Sequence, residues 1–256
     1  MSDGAFEDVV ARLRAAGCVF AEEEARLLLG QSGDSGDVAG MVERRVAGEP
    51  LEYILGWAEF MGRRFAVAPG VFVPRHRTEL LVRLAVGFAR SNKVVLDLCC
   101  GSGALGATVA AEVPAIELHA ADVEPAAVDC ARRNVPGEVY KGDLYAPLPP
   151  GLRGRVDVLI ANVPYVPTGD VALMPPEARD HEPRVALDGG ADGLDVLRRV
   201  VAEAPAWLAP GGHVLFEASE RQAEAAAAEV RRAGLAASVE ADGELGATVV
   251  VGLREH

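Results

Sequence analysis

Asn162, the Val163 carbonyl, Pro164 and Tyr165 stand together where the apolar run Val156-Asp157-Val158-Leu159-Ile160 ends in Ala161. A side-chain amide oxygen and a neighbouring backbone carbonyl can each accept one N–H, so the pair makes a receptor for a planar NH2 group. Pro164 keeps Val163 extended and presets its carbonyl direction, while the Tyr165 ring can cover the flat face of an amide or a base. The same residue types also build an ordinary strand-end turn. Upstream, Lys93-Val94-Val95-Leu96-Asp97-Leu98 reads as a buried parallel strand running into Cys99-Cys100-Gly101-Ser102-Gly103-Ala104-Leu105-Gly106. Strand, glycine loop and helix form a nucleotide-binding unit, and 101–106 satisfies G-x-G-x-x-G, which keeps a dinucleotide cofactor in play. Against it, Asp97 at the strand end would repel a pyrophosphate but can accept from the ammonium of an amino acid, directly or through water. Asp122, ending the next strand, suits a ribose diol. Asp143 can accept from an exocyclic adenine amine while Leu144 packs on the ring.

Positioning these groups takes a particular set of elements. Helical spacing covers residues 6–16, 21–29 and 38–47, with 31–36 as the polar break between the second and third. Residues 53–73 alternate around Met61-Gly62-Arg63 and predict a β-hairpin. Thr78 is a plausible cap for a helix reaching Arg90. Strands follow near 94–98, 116–121, 138–140, 156–161, 212–218 and 247–253, alternating with helices, so the class is α/β with a doubly wound, mostly parallel sheet. In such sheets ligands sit outside the carboxyl ends of the strands where strand order reverses, which is where Asp97, Asp122, Asp143 and Asn162 fall. Glu217 belongs to the same edge and reads as support. Asp192 reads as a helix N-cap.

The set Asp97-Leu98-x-x-Gly101-Ser102-Gly103, Asp122, Asp143 and Asn162-x-Pro164-Tyr165 resembles the class I S-adenosylmethionine-dependent methyltransferases that act on amino groups. Gly48-Glu49-Pro50-Leu51-Glu52-Tyr53-Ile54-Leu55-Gly56, Phe60, Phe65, Gly70-Val71-Phe72-Val73-Pro74-Arg75, Thr78-Glu79, Glu182-Pro183, 186–190, 192–194, Glu217 and Gln222 narrow the resemblance. They look like the N(5)-glutamine methyltransferases of peptide-chain release factors. The resemblance implies a Rossmann-like methyltransferase domain over 76–256 with an antiparallel last strand, a hairpin linker over 51–75 and a small helical substrate-docking domain over 1–50. It implies S-adenosyl-L-methionine held by Asp97, Cys99, Cys100, Gly101, Ser102, Gly103, Asp122, Asp143, Leu144 and Asn162. The acceptor would be held by Asn162, Val163, Pro164 and Tyr165. Departures from the family pattern are Val163 for a first proline, Cys99 for a glycine, His76-Arg77 before Thr78-Glu79, and a shorter N-terminal region. Because the carbonyl of residue 163 is the functional group, the chemistry survives the first of these.

Composition bounds the alternatives. Of 256 residues half are apolar, enough for one sizeable α/β domain with an appendage. A net charge of −13 disfavours general nucleic-acid binding, although the receptor would also fit an adenine or cytosine amine. Arg63, Arg64, Arg75 and Arg77 cluster near the hairpin, either as a patch for an acidic partner or RNA, or as a solvated face. A catalytically inactive cofactor-binding module, acting through interaction alone, is a third reading. The four cysteines lack metal-ligand spacing, so no metal is expected. Their usage reads as that of a reducing compartment, and with no leader or membrane-spanning pattern a soluble cytoplasmic protein is expected. Expected partners are a protein bearing a glutamine and no membrane, with oligomeric state open.

Overall fold

The computed structural model describes residues 3–31 and 37–255. Three helices open the chain, α1 (Asp3–Ala15), α2 (Ala21–Gly30) and α3 (Val38–Val46), joined by α4 (Leu51–Leu55). Their apolar stripes meet around Leu13, Leu28, Val42 and Ile54. Most of the polar break after α2 lies outside the described residues. Asp37 caps α3, its side chain accepting from the Gly40 N–H at 2.8 Å.

The hairpin is shorter than the alternation suggested. It comprises β1 (Trp57–Phe60) and β2 (Arg63–Ala66) only, because Pro50 starts a helical turn and Gly56, at φ 78°, stops it. Met61 and Gly62 both take positive φ, the tight turn whose twist suits two paired strands. Residues after β2 leave the hairpin, held instead by the Tyr53 hydroxyl donating to the Val71 carbonyl at 2.8 Å. Thr78 does not cap α5 (Glu79–Phe88); it sits in a short 3-10 turn and points elsewhere.

The main body alternates β3 (Val94–Leu98), α6 (Ala104–Glu112), β4 (Glu117–Asp122), α7 (Pro125–Asn134), β5 (Glu138–Lys141), β6 (Val156–Ala161), α8 (Pro176–His181), α9 (Asp195–Trp207), β7 (Leu208–Glu217), α10 (Ala223–Arg232), β8 (Ala236–Asp242) and β9 (Ala247–Leu253). The sheet runs β5-β4-β3-β6-β7-β9-β8, parallel except that β9 opposes both its neighbours. Strand order reverses between β3 and β6, the crevice expected of a doubly wound sheet. β8 was not expected: its alanines and exposed polar residues carry no strand pattern, and pairing with β9 alone makes it extended. Side chains alternate across the sheet, so Leu96, Leu98 and Leu159 pack with Trp207 on the α9 and α10 face. Val95, Val158 and Ile160 pack with Leu81 and Leu105 on the α5 and α6 face.

Register does the positioning. Leu98 pairs with both Ala121 and Ala161, and Ala161 with Phe216. The next residue of each strand, Cys99, Asp122, Asn162 and Glu217, therefore leaves the sheet at one edge.

Candidate active site

A cleft of about 1260 Å³, counted to its open mouth, lies along that edge and is lined by Cys99, Cys100, Gly101, Ser102, Asp122, Asp143, Leu144, Asn162, Val163, Pro164 and Tyr165. Of the sequence-derived candidates, Asp97 and Gly103 are not on its wall. Asp97 shares the α6 face with Val95, so alternation turns it beneath the helix. It is fully buried, with Oδ2 accepting from the Gly106 N–H at 2.9 Å. Its Oδ1 has no partner among the described residues. Burial, aided by the nearby Asp122 charge and opposed by the Gly106 bond, pushes its carboxyl up to about 7. Gly103 starts α6 at φ 78°, and a Cβ there would meet Val135 Cγ2 at 2.5 Å. It shapes the loop from behind.

The loop is strained where it faces the cleft. Cys99 lies at φ 55°, a left-handed conformation that costs a residue with a Cβ about 1–2 kcal/mol. That backbone state accounts for glycine being the expected residue. Leu144, at φ 48°, is held likewise. Such strain gathers where a loop is shaped for a ligand. Burial raises the thiols of both Cys99 and Cys100, which keeps them protonated and inert. Asp122 Oδ2 accepts from the Gly101 N–H at 2.8 Å and Oδ1 from the Glu124 N–H at 2.9 Å. The carboxylate thus fixes the loop and faces the cleft together with it. Asp143 accepts from Arg199 Nη2 at 2.6 Å.

On the other side, Asn162 and Val163 both line the cleft, and neither the Asn162 amide nor the Val163 carbonyl has a hydrogen-bond partner among the described residues. The Tyr165 ring stands beside them, held from behind. Its hydroxyl donates to Glu217 Oε1 at 2.6 Å, and Arg77 Nε donates to the same hydroxyl at 3.1 Å and to Oε1 at 2.8 Å. Thr78 Oγ1 donates to Oε2 at 2.7 Å, which is the role that replaces capping. Burial and the Glu217 charge raise the Tyr165 phenol, so it remains a donor. Gln222 Nε2 bonds the carbonyls of Tyr165 and Asp192, each at 2.9 Å. Asp192 accepts from the Leu194 N–H two residues on, at 3.1 Å, so it forms the turn before α9 and is not that helix's cap residue. Glu182, its side chain buried, accepts from the Val73 N–H at 3.0 Å and from Arg75 Nη2 at 2.6 Å.

Several wall residues were not assigned to the site from sequence. Phe72, Pro74, Arg75 and Arg77 come from the segment after the hairpin, and Arg199 from α9. Phe72, Pro74 and Arg75 lay in a recognised family segment, which was the available signal; Arg77 stood at a departure from that pattern, and Arg199 had none. The arginine cluster is not a free basic patch. Arg63 pairs with Glu112, Arg64 covers the Trp57 ring, Arg75 pairs with Glu182 and Arg77 with Glu217. Among the described residues no helix is long and apolar enough to cross a membrane.

The wall fits S-adenosylmethionine. Behind the strained loop Asp97 Oδ1 is buried and without a partner among the described residues, an acceptor off the wall that an amino-acid ammonium would reach through water. Asp122 and Asp143 add two carboxylates to the same wall. A family model described as "Methyltransferase small domain" matches residues 63–174. The release factor glutamine methyltransferase of Geobacter sulfurreducens is 39% identical over 220 residues, covering 84% of this chain and 76% of that one. A methyltransferase of 4-amino-L-phenylalanine and 4-methylamino-L-phenylalanine from Streptomyces pristinaespiralis is 38% identical, covering 75% and 69%. A methyltransferase structure from Pyrococcus furiosus superposes with a TM-score of 0.56 at 16% identity, covering 85% of this chain and 98% of that one, a likeness of fold. The enzyme is a methyltransferase that uses S-adenosylmethionine, and the extent of identity, running across both walls of the cleft, shows that the chain belongs to the release factor glutamine methyltransferase family.

Proposed function

We propose that the chain methylates the side-chain amide nitrogen of a glutamine in a peptide-chain release factor. The observation that carries this reading is the pair of free acceptors, Asn162 Oδ1 and the Val163 carbonyl, in the cleft that also contains Asp122 and the 99–103 loop. Asp97, through its orphaned oxygen, and Asp122, Asp143 and Leu144 are the groups we assign to the cofactor, with Cys99, Cys100, Gly101 and Ser102 forming the loop against it and Gly103 supporting that loop. Bound there, S-adenosylmethionine supplies an electrophilic methyl group on a sulfonium sulfur.

The chain's own residues must make a poor nucleophile act. An amide lone pair is delocalised into its carbonyl. Hydrogen bonds from the NH2 to Asn162 and Val163 raise electron density on nitrogen and fix its orientation. They strengthen as nitrogen becomes positive, which stabilises the transition state selectively. Pro164 keeps the Val163 carbonyl aimed, and the Tyr165 ring, locked by Glu217, supplies a flat wall. The methylated nitrogen is acidic and loses its proton to water, so no base is needed. His76, with its side chain largely exposed and bonded to Glu79 at 2.5 Å, takes no part.

We read residues 1–50 as the substrate-docking part, 51–75 as the linker and 76–256 as the methyltransferase domain, working in the cytoplasm on a protein. Incubation with labelled cofactor and purified release factors, followed by mapping, tests the assignment. Label on one glutamine is the expected result. Label in RNase-sensitive material would replace it with a nucleic-acid amine. The relative acting on an aromatic amine favours a second acceptor class, for which label would appear in a small aryl amine.

A further inference from the structure

Three arginines line the cleft, Arg75, Arg77 and Arg199. Arg75 and Arg199 each spend a terminal nitrogen on a carboxylate, Glu182 and Asp143 respectively. Arg77 is different. Its bonds to Tyr165 and Glu217 both use Nε, which leaves Nη1 and Nη2 without partners among the described residues. Its side chain is 47% exposed, with the guanidinium carbon 5.9 Å from the Tyr165 ring centroid. The guanidinium is therefore anchored at one edge and open at the other. A planar fork held this way presents two parallel N–H donors in a fixed direction.

Sheet order says which ligand it faces. The carboxylates assigned to the cofactor lie at or just past the ends of β3, β4 and β5, on one side of the crevice. Arg77 is tied to Tyr165, beyond β6, and to Glu217, at the end of β7, on the other side. That is the acceptor side. Glu217 compensates the guanidinium charge, so the open fork is locally a neutral pair of donors, suited to an uncharged oxygen. We propose that Arg77 is a specificity residue, whose fork binds a main-chain carbonyl oxygen flanking the glutamine that is methylated. This role rests on the glutamine reading of the site. It would let the enzyme recognise the shape of a peptide segment at the cleft mouth without requiring a particular neighbouring side chain.

The test compares wild type, Arg77→Lys and Arg77→Met with a purified release factor at two ionic strengths, with cofactor affinity measured by calorimetry. Melting curves and a Glu217→Gln variant report disturbance of the Tyr165 support. The expected result is a KM for the release factor raised about tenfold in Arg77→Met, the loss of a hydrogen-bonded contact to a neutral group. Cofactor affinity should stay within about twofold, with Lys restoring part of the KM loss and the KM effect insensitive to salt, while any fall in kcat, from loss of the tie to Tyr165, should be no larger than that in Glu217→Gln. An effect that fades at high salt would shift the target to a carboxylate and overturn the carbonyl assignment. Weakened cofactor binding would place Arg77 on the cofactor's carboxylate and overturn the acceptor role. A fall in kcat matched by Glu217→Gln, with KM unchanged, would reduce it to a prop for Tyr165. If wild type transfers no methyl to the release factor, the glutamine reading and this inference both fall; if wild type does and KM is unchanged in the variants, only the inference does.

Discussion

Asn162 carries the reaction through one oxygen. Removing it in Asn162→Ala should lower turnover about 10²–10³-fold, the usual cost of losing one group that stabilises developing charge. Calorimetry should find cofactor affinity little changed, because the loop and carboxylates that hold it remain. Asp97 predicts a pH effect. The folded protein keeps this proton up to about pH 7, whereas the unfolded chain releases it near 3.8. Between these values the native state binds more protons, so the stability contributed at this position falls as pH rises from 3.8 to about 7 and is level above. Asp97→Asn removes the titration, and its melting-temperature advantage over wild type should grow across that window. The same variant should bind cofactor more weakly above about pH 7, where the ammonium loses a carboxylate behind the loop. Cys99→Gly offers the converse. Relief of the left-handed strain, partly offset by greater freedom of the unfolded chain, should stabilise the protein by about 0.5–1 kcal/mol in denaturant melts.

Elements are joined by a few buried polar ties. Arg45 on α3 is the clearest. It is buried, bonds Glu24 of α2 at 2.6 Å through Nε and reaches Glu177 of α8 at 2.6 Å through Nη1. One guanidinium thereby links the N-terminal helices to the segment that follows Tyr165. Arg45→Ala leaves Glu24 buried with its charge uncompensated, and chemical denaturation should show a loss of about 3–5 kcal/mol. Hydrogen exchange should show the loss concentrated in α1 to α3. Asn134, at the end of α7, makes a second tie: its amide bonds both main-chain groups of Ala66 and the Ser102 carbonyl. The hairpin and the cofactor loop are thus fastened to one side chain.

At the scale of the whole molecule, the sheet edge is a binding surface assembled from four strands, and its ligand should stabilise everything that holds it together. S-adenosylmethionine at about 100 times its dissociation constant adds about 2.7 kcal/mol. A melting temperature raised by about 5–10 °C is expected, with no change from NAD. A shift with NAD instead would restore the dinucleotide reading of 101–106.

Much of this enzyme was legible in its sequence because the signals are local. An apolar run followed by a glycine loop, or by Asn162 and Pro164, states what each strand end does whatever the strand pairs with. The succession of strands along the chain, β8 apart, the strand-end carboxylates and the acceptor motif follow from such runs. Tertiary structure decided what depends on register and distance. Alternation within β3 turned Asp97 under α6, pairing with β9 made a strand of 236–242, and chain reversal brought Arg77, Thr78 and Glu217 behind Tyr165 and Arg199 beside Asp143. These contacts join residues far apart in the chain, where no local pattern of residue types records which side chains will meet.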